Sequence, residues 1–199
     1  MTSEMRRIVA EAKAAARGGW SDETVASLAE ATRELRFDDA ELARLLALPA
    51  ADHGFREAVF TTDAEFHASV FALPKGETIP LHDHPGLDVI SKVLRGRIRV
   101  RTYEWIDAES LTANDCGEAV VGEDDAALVL RKMPGTLHTV TALESAAFLD
   151  LFAPYYDDVD RPCTYYAVAG AAAGRRRTSR RDAGVPVQLR VVTWEEARR

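Results

Sequence analysis

Ile79-Pro80-Leu81-His82-Asp83-His84-Pro85-Gly86 carries two of the chain's five histidines at positions i and i+2. On a strand or extended loop such positions point to the same side, roughly 6–7 Å apart at Cα, so both imidazoles can converge on one metal ion. The flanks suit this geometry. Gly76 and Pro80 come before the pair, and Pro85-Gly86 turns the chain just after it. A third imidazole stands in a distant segment, Pro134-Gly135-Thr136-Leu137-His138, again beside a turn. His53 and His67 are the remaining histidines. An H-x-H by itself also fits separate polar histidines on a surface, so the assignment of a metal site leans on the two-part pattern.

That pattern is Gly76, five residues, His82-x-His84, then Gly96, and much later Pro-Gly-x-x-His. It is similar to the two-part cupin signature, which implies a mainly β fold: a double-stranded β-helix, or jelly-roll, barrel. The surrounding sequence agrees. Short β-rich runs appear at Ala58 to Thr61, Ala68 to Leu73, Val89 to Leu94, Ile98 to Trp105, Ala127 to Leu130, Phe148 to Phe152 and Tyr165 to Val168. Turn signals separate them at Pro74-Lys75-Gly76, Arg95-Gly96, Gly122, Pro134-Gly135 and Pro154. Many short strands at this spacing suggest a sandwich or barrel. In Arg97-Ile98-Arg99-Val100-Arg101 the alternation is strict, with the arginines on one face and Ile98 and Val100 on the other.

Upstream, residues 1–50 read as helical. Met5, Ile8, Val9, Ala12 and Ala16 recur at helical spacing until Gly18-Gly19. Ser21 can cap a second helix with Val25, Leu28, Ala29 and Leu35 on its apolar side, and Asp38 or Asp39 a third with Leu42, Leu45 and Leu46 inward. Three short helices can hardly bury a core alone, so residues 1–199 are expected to form one domain. Its parts are a helical start, a β-barrel core over 55–170, an Arg-rich loop over 171–184 and a C-terminal strand and tail over 185–199, with Val187 to Trp194 as the strand.

Composition narrows the function. The formal net charge is -7, which argues against nucleic acid as partner, since phosphate binding needs a basic surface. The local exception, Arg175, Arg176, Arg177, Arg180 and Arg181, reads as a solvated loop. No stretch approaches the roughly 20 apolar residues of a membrane span. Met1 to Arg7 has no apolar run behind its basic pair, so the expected location is the cytoplasm. Cys116 and Cys163 are too few for a disulfide framework and form no paired C-x-x-C. Cys116, between Asp115 and Gly117, reads as a loop residue. The compact layout permits a monomer.

Three neutral imidazoles leave the full charge of a divalent metal uncompensated and coordination positions open. Imidazole suits iron, zinc, copper and nickel alike. An uncompensated dication favours an anionic ligand such as a thiolate, because a coordinating thiol is deprotonated outright. Asp88 is the one carboxylate placed to join the set, slightly early in the chain, and would then make a fourth ligand.

Two further blocks sharpen the identification. Ile79 to Gly86, with Ser91-Lys92-Val93-Leu94-x-Gly96 and Tyr103-Glu104-Trp105, resembles the plant cysteine oxidases and the related cysteamine (2-aminoethanethiol) dioxygenases. Phe148-Leu149-Asp150-Leu151-Phe152-Ala153-Pro154, followed by Cys163-Thr164-Tyr165-Tyr166, resembles the C-terminal signature of the same family of cupin thiol dioxygenases. The resemblance implies a mononuclear non-haem Fe(II) centre held by His82, His84 and His138. It also implies dioxygenation of a thiol to a sulfinic acid, with a small aminothiol or N-terminal-cysteine peptide and O2 as substrates. Asp150 matches a family aspartate associated with substrate binding, and a carboxylate there can pair with an amino group. Cys163 and Tyr165, two apart and on one face if on a strand, match a position considered for a covalent cysteine–tyrosine link. They read equally as a buried cysteine packed beside a ring.

Tyr103 and Trp105 are expected in the core or pocket wall. A carboxylate-bearing substrate would need a basic partner, for which an arginine between Arg95 and Arg101 is the candidate. Where the family often continues Pro-Pro-Tyr, this chain has Pro154-Tyr155-Tyr156, and the Arg-rich segment matches nothing in it. Two other functions stay open from sequence: a non-oxidative metal cupin, an isomerase or hydrolase that Asp88 as ligand would favour, and a non-catalytic cupin ligand-binding module.

Overall fold

The computed structural model describes residues 2–50, 55–132, 136–157, 159–169 and 184–198. His53, the Pro134-Gly135 turn and the arginines at 175–181 lie outside these residues. The chain starts with three helices, α1 (Ser3–Ala16), α2 (Asp22–Ala31) and α3 (Asp39–Leu46). Each begins where a side chain satisfies a first-turn amide: Thr2 accepts from Met5 N, Ser21 from Thr24 N and Asp38 from Glu41 N. Met5, Ile8, Val9, Ala12 and Ala16, the apolar stripe of α1, are all buried. In α3, Leu42 and Leu45 are only half-buried.

Eleven strands follow: β1 (Arg56–Thr62), β2 (His67–Leu73), β3 (Thr78–Asp83), β4 (Asp88–Arg95), β5 (Arg97–Asp107), β6 (Thr112–Gly122), β7 (Leu128–Leu130), β8 (Thr136–Ala142), β9 (Ala146–Ala153), β10 (Tyr165–Val168) and β11 (Val185–Val192). One sheet has the order β1-β2-β9-β4-β7, and the other strands close into a ring, β10-β11-β6-β5-β8-β3. Pairing of Tyr165 with His82 completes the ring. The two layers pack face to face. Leu73, Val93 and Phe148 of the sheet meet Ile79, Ile98, Val100 and Val140 of the ring. This is the mainly β, cupin-type barrel with a helical start that the sequence implied.

The helices cover the outer face of the sheet, where Met5, Ile8 and Trp20 pack with Val70, Ile90, Leu149 and Leu151. Strand β9 is therefore buried on both faces, which is why it reads as an unbroken apolar run. Its alternation fixes the site. Ala147, Leu149, Leu151 and Ala153 meet the helices, while Phe148 turns to the ring, so Asp150, in phase with Phe148, faces inward.

Three strands were not among those expected. β3 and β8 carry the histidines, and β6 carries Cys116, which is an exposed strand residue rather than a loop residue. The Asn114-Asp115-Cys116-Gly117 stretch has turn composition because it forms an irregularity within a ladder. Gly117 has φ 87°, its N–H donates to Asp115 Oδ1, and the β5–β6 register shifts between Arg101 and Tyr103. Gly96 is required at the β4–β5 turn: its φ is 79°, and a Cβ there would overlap the Ser145 carbonyl oxygen. At the C-terminus, β11 stops before Trp194, which instead opens a short helix, α4 (Trp194–Ala197), capped by Thr193. The Trp194 ring packs against Phe55 at 4.7 Å and Tyr165 at 5.1 Å.

Candidate metal centre

His82 stands on β3, His84 one residue past its end, and His138 on β8 opposite His82 in register. One nitrogen from each ring lies within 4.8 Å of the others. All three residues are buried. His82 Nδ1 sits 2.8 Å from the Pro80 carbonyl, which can only accept, so this nitrogen carries the proton and Nε2 keeps its lone pair. Burial lowers the His82 pKa to about 4 and those of His84 and His138 well below the ordinary value, with mutual repulsion adding for the latter two. The rings are thus neutral at neutral pH, the form a metal requires. His84 Nδ1 and His138 Nδ1 are buried without a hydrogen-bond partner. Three neutral, convergent, buried imidazoles fit a divalent transition metal.

Asp88 does not belong to the cluster. Its Oδ1 accepts from Lys132 N at 3.0 Å and pairs with Arg131 at 3.2 Å. Position 88 follows the turn at Pro85-Gly86 and aligns with Ala153 of β9, so its side chain serves the neighbouring Arg131–Lys132 segment.

The imidazoles open on a cavity of about 150 Å³ between ring and sheet. The sheet supplies its opposite wall. Asp150 pairs in register with Ser91 of β4, while Asp150 Oδ1 is buried without a hydrogen-bond partner. Burial, with some help from Glu57, pushes the Asp150 pKa up to about 7, against a smaller opposing effect of the Ser91 hydroxyl. Glu57 lines the cavity from β1, and its Oε1 lies 3.1 Å from His67 Nε2. The His67 ring stacks on Tyr155 at 3.9 Å. Asp150 and Glu57 are the only carboxylates among the described lining residues, and none of those residues is Lys or Arg.

The arginine expected as a carboxylate partner is therefore absent from the described wall. Arg97 and Arg99 pair outside with Glu144 and Glu118, Arg101 pairs with Asp115, and Arg95 binds Asp39 and Glu123. The alternation that buries Ile98 and Val100 turns these side chains away. Tyr103 is buried in a separate cluster with Leu81, Leu137 and Tyr166, and Trp105 packs against it.

Cys163 and Tyr165 both line the cavity, yet Cys163 precedes β10 rather than sharing it. Burial pushes the Cys163 thiol up to about 11, so it is protonated at neutral pH, and it lies outside the metal cluster. Asp83, between the two histidines, ties down this corner. Its Oδ1 accepts from Thr164 N, its Oδ2 from Tyr166 Oη, and its carbonyl from Tyr156 Oη.

Nothing in the sequence marks Glu57 or His67 as neighbours of the site, and little marks Ser91. Ser91 alternates in phase with Val89 and Val93, which is the one local signal that it faces inward. Tyr155 and Tyr156 had been noted only as a departure from the family pattern.

Comparison with known proteins gives this geometry a lineage. The chain is 34% identical over 109 residues to plant cysteine oxidase 2 of Arabidopsis thaliana, a match covering 51% of this chain and 40% of that one. It is 29% identical over 155 residues to a probable 2-aminoethanethiol dioxygenase of Dictyostelium discoideum, covering 72% of this chain and 71% of that one. It thus spans well under half the length of the plant relative. Among solved structures, the Cnp3 cupin domain of Schizosaccharomyces pombe aligns with 56% of this chain and 72% of its own, at 16% identity and a TM-score of 0.42. The family model PCO_ADO matches residues 56–196, the whole barrel from β1 to α4, and the chain belongs to that family.

Proposed function

We propose that this chain is a mononuclear iron-dependent thiol dioxygenase acting on an aminothiol of the cysteamine or N-terminal-cysteine type. The observation that carries the reading is a pocket with two chemically opposite walls: three neutral imidazoles and no carboxylate on one side, Asp150 on the other. The overall change is R–SH + O2 → R–SO2H. Both oxygen atoms enter the product, sulfur supplies four electrons, and no further reductant is needed.

His82, His84 and His138 would hold Fe(II) through neutral nitrogens, leaving its charge for the substrate's sulfur. When bound, the iron supplies the redox chemistry between thiol and oxygen and favours the thiolate over the thiol. Asp150 receives the substrate's ammonium at Oδ1, the atom that lacks a partner in the protein, and Ser91 stands beside it in register. Phe152, Tyr155 and Tyr156 pack edge-on to one another and keep water from the reacting atoms. Cys163 and Tyr165 both line the cavity beside the ring closure and complete its wall. A wall without Lys or Arg disfavours free cysteine and mercaptopropionate, whose carboxylates would meet Asp150 and Glu57. The engagement of Asp88 with Arg131 removes the feature on which a non-oxidative metal enzyme rested.

The test is oxygen uptake by Fe(II)-loaded protein offered cysteamine, cysteine, mercaptopropionate and a Cys-initiated peptide in parallel, with products weighed by mass spectrometry. Cysteamine or the peptide gains two oxygen atoms as oxygen falls. Iron-loaded protein that consumes oxygen with none of the four sinks the proposal.

A further inference from the structure

The described cavity wall holds a second carboxylate that the reaction above does not use. Glu57 lies on β1, two strands away from Asp150 on β9. In register, Glu57 faces Phe71, while Asp150 faces Ser69, one inward position further along β2. The Glu57 side chain nevertheless ends at His67, a further inward position along. To reach it, the carboxylate must cross the level of Ser69, which brings it toward Asp150. Its side chain is 10% exposed. The crossing is held by His67, itself fixed by the stacked Tyr155 ring and an edge contact with Phe152 at 5.6 Å. On this wall Asp150 Oδ1 is buried without a hydrogen-bond partner, as is Ser69 Oγ on the strand between.

From this arrangement we infer that Glu57, positioned by His67, is a specificity-determining residue that shares the substrate's ammonium with Asp150. The inference deepens, and rests on, the aminothiol reading above. An ammonium has three N–H donors and no acceptor, so a second carboxylate beside Asp150 gives it a further acceptor. Two carboxylates on one dry wall repel each other until a cation lies between them. Their mutual effect shows in the raised pKa of Asp150, to which Glu57 contributes after burial. A hydroxyl in place of the ammonium relieves none of that repulsion, so the pair selects for charge rather than size. The ammonium can belong to a small aminothiol or to a peptide N-terminus, because in both it stands two carbons from the sulfur.

The experiment measures equilibrium binding without oxygen to the full Fe(II)-loaded chain, by calorimetry, for cysteamine, a Cys-Gly peptide, 2-mercaptoethanol and ethylamine. In the wild type, cysteamine or the peptide binds more tightly than 2-mercaptoethanol, and the tighter of the two identifies the source of the ammonium. Glu57→Gln, isosteric and uncharged, lowers this preference about ten-fold. His67→Phe keeps the stack on Tyr155, removes the contact to Glu57 and lowers the preference part-way, and His67→Gln restores some of it through its amide N–H. An unchanged preference in Glu57→Gln overturns the inference and leaves Glu57 as a partner of His67 alone. Ethylamine separates the two levels of argument. If no thiol is oxidised, the dioxygenase reading falls, yet binding of ethylamine to wild type and its loss in Glu57→Gln still upholds the ammonium site. Equal ethylamine binding in both sinks the site whatever the thiols do.

Discussion

The two walls of the cavity are built by opposite means. The ring wall takes its imidazoles from β3, its end and β8, a directly paired couple of strands, and all three are neutral. The sheet wall takes Glu57 from β1, Ser91 from β4 and Asp150 from β9, which become neighbours only when the sheet assembles in the order β1-β2-β9-β4. Its chemistry is anionic oxygen. One wall is a cluster of convergent nitrogens made by local geometry. The other is a set of oxygens brought together by topology. Metal affinity and substrate choice should therefore separate under mutation, because the two sets of groups share a cavity and no strand.

The largest effect expected from that division falls on the ring wall. His82→Ala or His138→Ala removes one of three ligands, and both iron retention and turnover should be abolished. Metal analysis after gel filtration, alongside oxygen uptake, reads the two together. Normal iron content in either variant would refute the ligand assignment. The comparison also predicts that the variants leave the sheet wall intact, so ethylamine binding should survive where iron does not.

Asp150→Asn is the matching test on the sheet wall. Loss of a charged hydrogen-bond partner is worth about 1.5–3 kcal/mol, which corresponds to roughly ten- to a hundred-fold in kcat/KM for cysteamine, with iron content unchanged. Iron lost in parallel with activity would collapse the distinction between the walls. A second readout is the pH dependence of stability in metal-free protein. The folded Asp150 pKa, about 7, is raised above the ordinary carboxyl value of 3.8 by burial. The folded state therefore holds a proton that the unfolded state releases, and this contribution is full below pH 3.8 and is lost as pH rises through about 7. The buried histidines act in the opposite sense over an overlapping window, because their lowered pKa values make the folded state bind fewer protons. The difference between wild type and Asp150→Asn isolates the carboxylate. It should shift in favour of the variant by about 2–4 kcal/mol between pH 4 and pH 8 in urea unfolding.

How far each wall was legible follows from how it is built. His82 and His84 announce themselves because i and i+2 share a side in any extended chain, and His138 because its segment completes a known pattern. The helices were readable from spacing and, for the second and third, from caps, as Ser21 and Asp38 show in their contacts with first-turn amides. β6 was not, since Asn114 to Gly117 combines turn residues with a place between two partner strands that supply the pairing its own composition lacks. Glu57 and His67 were invisible for a different reason. Each sits in an ordinary strand, and only the return of β9 between β2 and β4 turns that strand face into a binding wall. Asp150 was found through resemblance rather than physics: in Phe148-Leu149-Asp150-Leu151-Phe152 a single acid in an apolar run marks a buried carboxylate without saying what it faces.

The smallest effect belongs to Asp88, the residue the sequence offered as a fourth metal ligand. It stands four residues after His84, close enough in the chain to suggest a ligand. The fold spends it elsewhere: Oδ1 accepts from Lys132 N and pairs with Arg131, whose other contact is Asp22 on α2 at 2.7 Å. Asp88 thus joins the start of β4 to the helical cover, on the side of the sheet away from the three clustered histidines. Asp88→Asn keeps an acceptor for the Lys132 amide and loses the charge opposite Arg131, a buried-to-half-exposed pair. Stability should fall by about 1–2 kcal/mol, and Tm by roughly 2–8 °C in a chain of this size. Iron content and cysteamine kinetics should stay at wild-type levels in the folded fraction. A fall in iron affinity would show that the metal draws on a fourth, carboxylate ligand, and the charge argument for a thiolate substrate would then have to be rebuilt around a partly neutralised centre.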